Sequence, residues 1–183
     1  AEKMKVHAVT SNWNQTVYDP YVNMLRGTTE AMSAAIAGVD SLEVLPFDYS
    51  FRAPGEFSNR IARNVQSILK EEAHFDKVVD PAAGSYYIEE LTQSLAEAAW
   101  KLFKEVEEKG GYVEAFKEGF VQSAIKATSA DRDKKIATRR ISILGVNQFP
   151  NFTEVVDKDV TAEVVTRKPA PEVTGNMIGQ PLE

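Results

Sequence analysis

The chain has 183 residues, enough for one domain with a sizeable core and hardly enough for two. It is 43% hydrophobic and 26% charged, and its net charge of −6 gives no general attraction to nucleic acid or anionic lipid. Cysteine is absent, which removes disulfides, thiolate nucleophiles and cysteine-type zinc sites together and fits a reducing, cytoplasmic setting. No run approaches the roughly 20 apolar residues needed to span a bilayer. The opening AEKMKVHAVTS lacks the apolar core of a signal peptide and enters a strand almost at once, as a cut inside a larger domain would.

The first apolar run, Val6 to Thr10, reads as a strand. Asp19-Pro20 then predicts a helix start, with a carboxylate cap and proline at the first helical position. The stripe Tyr21, Met24, Leu25, Thr28, Met32, Ala35 and Ile36 gives that helix an apolar face, and Gly38 ends it. A second strand follows at Leu42 to Phe47 and a second helix at Phe57 to Ala73. Lys77 to Val79 reads as a third short strand, closed by the turn at Asp80-Pro81. A long helix is predicted over Tyr86 to Lys109, with Ile88, Leu91, Leu95, Ala98, Leu102 and Val106 on one face and Gly110-Gly111 at its end. Tyr112 to Arg140 is a more broken helical region that divides near Gly119 or Ser129. Ile141 to Val146 is a fourth apolar run of strand character. From Pro150 the periodicity fails, so residues 150–183 read as an extended tail or interdomain linker.

The first three strands begin about 36 residues apart, the span of one strand-helix unit. Consecutive units of this kind favour a parallel sheet with right-handed crossovers. A complete (β/α)8 barrel takes roughly 250 residues, so residues 1–149 supply only part of one.

Few residues carry an obvious chemistry. His7 lies just before the C-terminal end of the first strand, where barrel enzymes place functional groups, although a hydrogen-bonded strand histidine is the blander reading. His74 follows charged residues at a helix end and is too far from His7 in sequence to make a metal motif. Glu71-Glu72, Glu89-Glu90 and Glu107-Glu108 sit among lysines and read as solvated helix faces. The basic set Arg132, Lys134, Lys135, Arg139 and Arg140 falls near a predicted helix C-terminus, where cations complement the dipole; phosphate or coenzyme A binding there is the minority reading. No dinucleotide fingerprint, P-loop or nucleophile elbow is present. Composition and spacing stop at an α/β segment of barrel character.

Longer stretches carry more. HAVTSNWNQTVYDPYVNMLRGTTEAMSAAIAGVDSLEVLPFD, RIARNVQSILKEE, VVDPAAGSYYIEELT, EVEEKGGYVEAF and ILGVNQF occur in this order and cover nearly all of residues 5–149. Together they resemble the acyl-CoA mutases that use adenosylcobalamin, methylmalonyl-CoA mutase above all. The resemblance implies an α/β fold comprising the last three βα units of a TIM (β/α)8 barrel, plus an extended C-terminal segment. It also implies membership of an isomerase that interconverts succinyl-CoA and methylmalonyl-CoA. The D-x-H-x-x-G pattern of the cobalt-ligating histidine is not in this sequence, nor is the Tyr-His pair that the family uses in the rearrangement.

Departures from the catalytic pattern imply a role. Catalytic members read like HSQTSG at the first strand, where this chain has His7-Ala8-Val9-Thr10-Ser11-Asn12. Val9 thus replaces a glutamine that meets substrate, and Asn12 replaces a glycine that lets the corrin approach. At the second strand a segment like QSLHTNALDE becomes DSLEVLPFDY. Ser41 matches, Glu43, Val44 and Leu45 replace a His-Thr-Asn run, and Tyr49 stands where a glutamate faces the corrin. Each lost contact costs a few kcal/mol, and the LPFD run resembles the small, non-catalytic (β) subunit of heterodimeric mutases. No catalytic, cofactor-binding or metal-binding residue is therefore assigned. His7 and Ser41 are expected to be vestigial substrate-binding residues, and adenosylcobalamin is expected on the large (α) catalytic subunit that partners this chain. Two alternatives stand beside this: a catalytically competent acyl-CoA mutase, and a coenzyme A-binding module without turnover. An excerpt of a closed barrel also exposes strand edges and apolar side chains, which predicts self-association of the isolated segment.

Overall fold

A computed structural model describes residues 4–155. The chain is mixed α/β and divides into two units, which among the described residues are 4–83 with 143–155, and 84–142.

In the first unit, β1 (His7–Val9) and β2 (Ser41–Glu43) pair in parallel, with His7 opposite Ser41, Ala8 opposite Leu42 and Val9 opposite Glu43. The joining helix, α1 (Val22–Ile36), begins later than Asp19-Pro20 predicts. Asp19 takes a left-handed conformation (φ 49°) and donates its N–H to Glu154 Oε1 at 2.8 Å, so Asp19, Pro20 and Tyr21 form a turn before the helix. Gly38 ends α1 as expected. Its φ of 72° lets Gly38 N–H reach the Ala35 carbonyl and Val39 N–H reach that of Ala34, the paired bonds of a Schellman stop.

α2 (Glu56–Ser67) starts at Gly55, whose N–H donates to Ser58 Oγ at 3.0 Å, and runs into one wide π turn over Ile68–Glu72. Ala62, Val65 and Leu69 share one side of α2 and this turn, and bury against Ala31 and Val44, with Met32, Leu42 and Phe75 packed around them. The predicted stripe of α1 is only partly the buried one. Tyr21 and Leu25 are exposed, while Asn23 and Ala31 are buried. Gly27 also belongs to the covered side, since a Cβ added there lies 3.8 Å from Val44 Cγ1.

Two expected strands do not form. At Lys77 to Val79, His74 (φ 59°) and Asp80 (φ 52°) bend the backbone, Lys77 N–H bonds the His74 carbonyl at 3.2 Å, and Val79 is 96% exposed. A three-residue strand gains ladder bonds only from a neighbouring edge, and here local turn bonds win. At Ile141 to Val146 the Ile143 carbonyl accepts from Val146, Asn147 and Gln148, and Ile143 N–H donates to Asn147 Oδ1 at 2.7 Å, closing a tight loop. Among the described residues its only ladder contact is the single bridge between Leu144 and Gln148. The predicted tail lies outside the described residues from 156 onward, and its first part returns to α1 through Glu154 and Asp19.

The second unit is helical: α3 (Tyr86–Glu108), α4 (Tyr112–Lys117) and α5 (Phe120–Ala137). Gly110 and Gly111 (φ 91° and 94°) stop α3 with another Schellman pair, from Gly110 N–H to Glu107 and from Gly111 N–H to Val106. The break in the next helical region falls at Gly119 (φ 78°), while Ser129 lies inside α5. Among the described residues no helix is long and apolar enough to cross a membrane.

Candidate functional site

The site begins with strand alternation. Ala8 and Leu42 are half-buried toward the helices, which leaves His7, Val9, Ser41 and Glu43 on the exposed face of the two-stranded sheet. The register sets His7 beside Ser41, and His7 Nδ1 and Ser41 Oγ share a hydrogen bond of 2.7 Å. The two residues singled out from sequence are therefore brought into direct contact. Val9, 49% exposed, stands opposite Glu43 one step further along the same face. At the other end of the pair, Asp40 takes Lys5 Nζ at 3.1 Å and Val6 N–H at 2.9 Å, fixing how β2 enters the sheet.

Beyond the strand ends the loops are clamped by polar groups. Thr10 N–H continues the ladder to the Glu43 carbonyl, and Thr10 Oγ1 accepts from Leu45 N–H at 2.8 Å. Asn12 opens a 3-10 turn (Asn12–Asn14) that carries exposed Trp13. One side of α1 holds this turn and the loops in place. Glu30 accepts from Ser11 N–H at 2.7 Å and from Asn14 Nδ2 at 2.6 Å. Buried Asn23 accepts from Thr16 N–H and donates to the carbonyls of Thr16 and Phe47, joining the loop after β1 to the loop after β2. Arg26 donates to Asn23 Oδ1, Thr16 Oγ1 and the Leu144 carbonyl. Burial pushes the Arg26 guanidinium below its usual value, with Asp19 and Glu30 pulling the other way. In the loop after β2, buried Asp48 accepts from Arg52 Nε at 2.9 Å, and Tyr49 is exposed.

Apolar periodicity missed Thr10, Asn23, Arg26 and Glu30. A sequence signal was available in the spacing 23, 26, 30, which places three hydrogen-bonding side chains on one side of a helix beside the strand ends. His74 is not brought to the site, since it lies past the π turn. The basic set falls where expected, with Lys134 and Lys135 in the last turn of α5 and Arg139 and Arg140 just beyond it. Among the described residues no three His, Cys, Asp or Glu side chains gather as a metal site.

A parallel strand pair spanned by a helix is the crossover unit of an α/β protein. A family model described as methylmalonyl-CoA mutase matches residues 1–171, and the chain belongs to that family. It is 57% identical over 159 residues to the methylmalonyl-CoA mutase small subunit of Porphyromonas gingivalis, covering 87% of this chain and 26% of that protein. Against the small subunit of Streptomyces virginiae the identity is 47% over 171 residues, covering 93% and 26%. A Cereibacter sphaeroides protein named methylmalonyl-CoA mutase is 44% identical over 146 residues, covering 80% and 21%. The chain thus spans about a quarter of the length of these curated relatives.

Proposed function

We propose that this chain is part of a small subunit of methylmalonyl-CoA mutase, an isomerase acting on succinyl-CoA and methylmalonyl-CoA, and that its role there is structural. The similarity to proteins named as small subunits, at 57% and 47% identity, carries the reading. In it, β1-α1-β2-α2 forms consecutive units of a (β/α)8 barrel completed by other parts of the full-length protein. The parallel pairing of β1 and β2, each with an unpaired outer edge among the described residues, supports that placement. The partner is a large catalytic subunit, which also holds adenosylcobalamin.

One feature supports putting the cofactor on the partner: Asn12, which stands where catalytic members carry a glycine, opens a turn that carries exposed Trp13. These residues do not fit the cofactor, so no chemical step is assigned to them through it. Absence of cysteine suits a cytoplasmic assembly.

The test is reconstitution. Full-length small subunit added to purified large subunit is expected to form a stoichiometric complex and to raise or preserve its activity. Large subunit that is fully active and stable alone overturns the reading. A second reading, binding of coenzyme A on the His7–Ser41 face without turnover, rests on the 2.7 Å contact. Calorimetry with coenzyme A is expected to give heat that the double substitution His7→Ala, Ser41→Ala removes. No heat at millimolar ligand rules it out.

A further inference from the structure

We propose that residues 143–155 are a strap that docks on the loop after β1 and opens together with the end of that loop as one unit, with Arg26 as the lock. The chain reaches residue 143 from the second unit, yet residues 143–155 group with the first. They meet it at two separate points. At one, Arg26 Nη2 donates to the Leu144 carbonyl at 2.6 Å. At the other, Asp19 N–H donates to Glu154 Oε1 at 2.8 Å. Between these points Gly145 lies so close to Asp19 that a Cβ added to the glycine falls 2.7 Å from Asp19 Cβ.

The two points are also joined through the loop. Arg26 Nη1 donates to Thr16 Oγ1 at 2.9 Å, and Thr16 Oγ1 donates on to the carbonyl of Tyr18, the residue before Asp19. The contacts thus close a circuit: Leu144, Arg26, Thr16, Tyr18, Asp19, Glu154 and back along the strap. Asn23 anchors Thr16 to α1, so Thr16 and Arg26 are the fixed side of the circuit, and residues 17–19 with the strap are the moving side. The two bonds from the strap are charge-assisted, the stronger class of hydrogen bond. Once one of them is made, the other forms at high effective concentration, so breaking either weakens both. Residues 143–155 form no helix or strand, and segments of that kind open below the global unfolding limit. Every one of these contacts joins parts of this chain, so none depends on what covers its open sheet face.

The experiment is amide hydrogen exchange of the full-length protein, read in the peptides that carry Asp19, Gly145 to Gln148, and α2. In the unmodified protein Asp19 and Gly145 to Gln148 are expected to share one opening equilibrium, with faster exchange than α2. Arg26→Gln is expected to speed exchange at both places by a common factor of about 10, the loss of one charge-assisted bond. Glu154→Ala is the sharper variant, because Glu154 bonds Asp19 and the readout lies at the other end of the strap. It is expected to speed Gly145 to Gln148 as much as Asp19, while α2 is unchanged. A Glu154→Ala effect confined to Asp19 overturns the strap, since the two points then open independently. Equal speeding in α2 overturns it as well, because the contacts then break only when the whole unit unfolds. If Arg26→Gln does not fold, Glu154→Ala decides alone, and no change at Gly145 to Gln148 counts against the proposal.

Discussion

The two units use the same sequence pattern to different effect. On α2 and its π turn, Ala62, Val65 and Leu69 bury against α1 and β2. On α3 the comparable stripe stays open, with Ile88 at 41%, Leu91 at 44%, Leu95 at 62% and Leu102 at 52% exposure. Periodicity identifies the side of a helix that gains from burial, but the gain needs a second surface. In the first unit the sheet and α1 supply one. In the second, among the described residues, no residue of α3 is buried. The chain spans about a quarter of its curated relatives, and the described residues supply no surface that covers this side of α3.

The largest effect expected in the covered unit comes from a polar residue. Asn23→Ala removes the donors to the Thr16 and Phe47 carbonyls and the acceptor for Thr16 N–H, leaving backbone groups unpaired in buried surroundings. At about 1–3 kcal/mol for each stranded group, partly relieved by water, a loss of about 4 kcal/mol is expected in urea unfolding. A change under 1 kcal/mol refutes the view that Asn23 holds the two loops together. Leu69→Ala comes next, at about 3 kcal/mol, from the lost transfer energy and the cavity left behind. The midpoint of the urea transition should fall without a change in its slope.

Gly145→Ala tests a closer contact. Gly145 has a φ of 78°, and an added Cβ lies 2.7 Å from Asp19 Cβ, so strain and collision coincide where the Ile143 loop meets the start of α1. A loss of about 2 kcal/mol is expected in the same urea measurement, with faster amide exchange at Asp19. Gly119→Ala, with nothing within 4 Å of the added Cβ, meets only the conformational cost and should lose about 1 kcal/mol.

How much of this was legible depends on whether a feature is local. Gly38, Gly110-Gly111 and Gly119 were readable as helix stops because a left-handed residue is a property of a few neighbouring atoms. The His7–Ser41 contact was half-readable: resemblance picked out both residues, but only parallel register places them side by side. Lys77 to Val79 misled because a strand is a relation between segments, and no partner edge reaches it among the described residues. The start of α1 misled because Asp19 takes a left-handed φ of 49° in place of the extended backbone of a helix cap. Asn23 escaped notice because apolar counting scores a buried asparagine as surface, although two loops with unsatisfied carbonyls need such a side chain.

The smallest effect is the most discriminating. Leu95, 62% exposed on α3, makes little use of its side chain in this chain, so Leu95→Ala should change stability by less than about 0.5 kcal/mol here. In full-length protein bound to its partner the same substitution has two distinct outcomes. If the α3 stripe is covered there, the cost rises to about 2–3 kcal/mol, the range for a leucine removed from a packed surface. A change still below about 0.5 kcal/mol makes the stripe a true solvent face, and the contrast between the units becomes intrinsic to the protein.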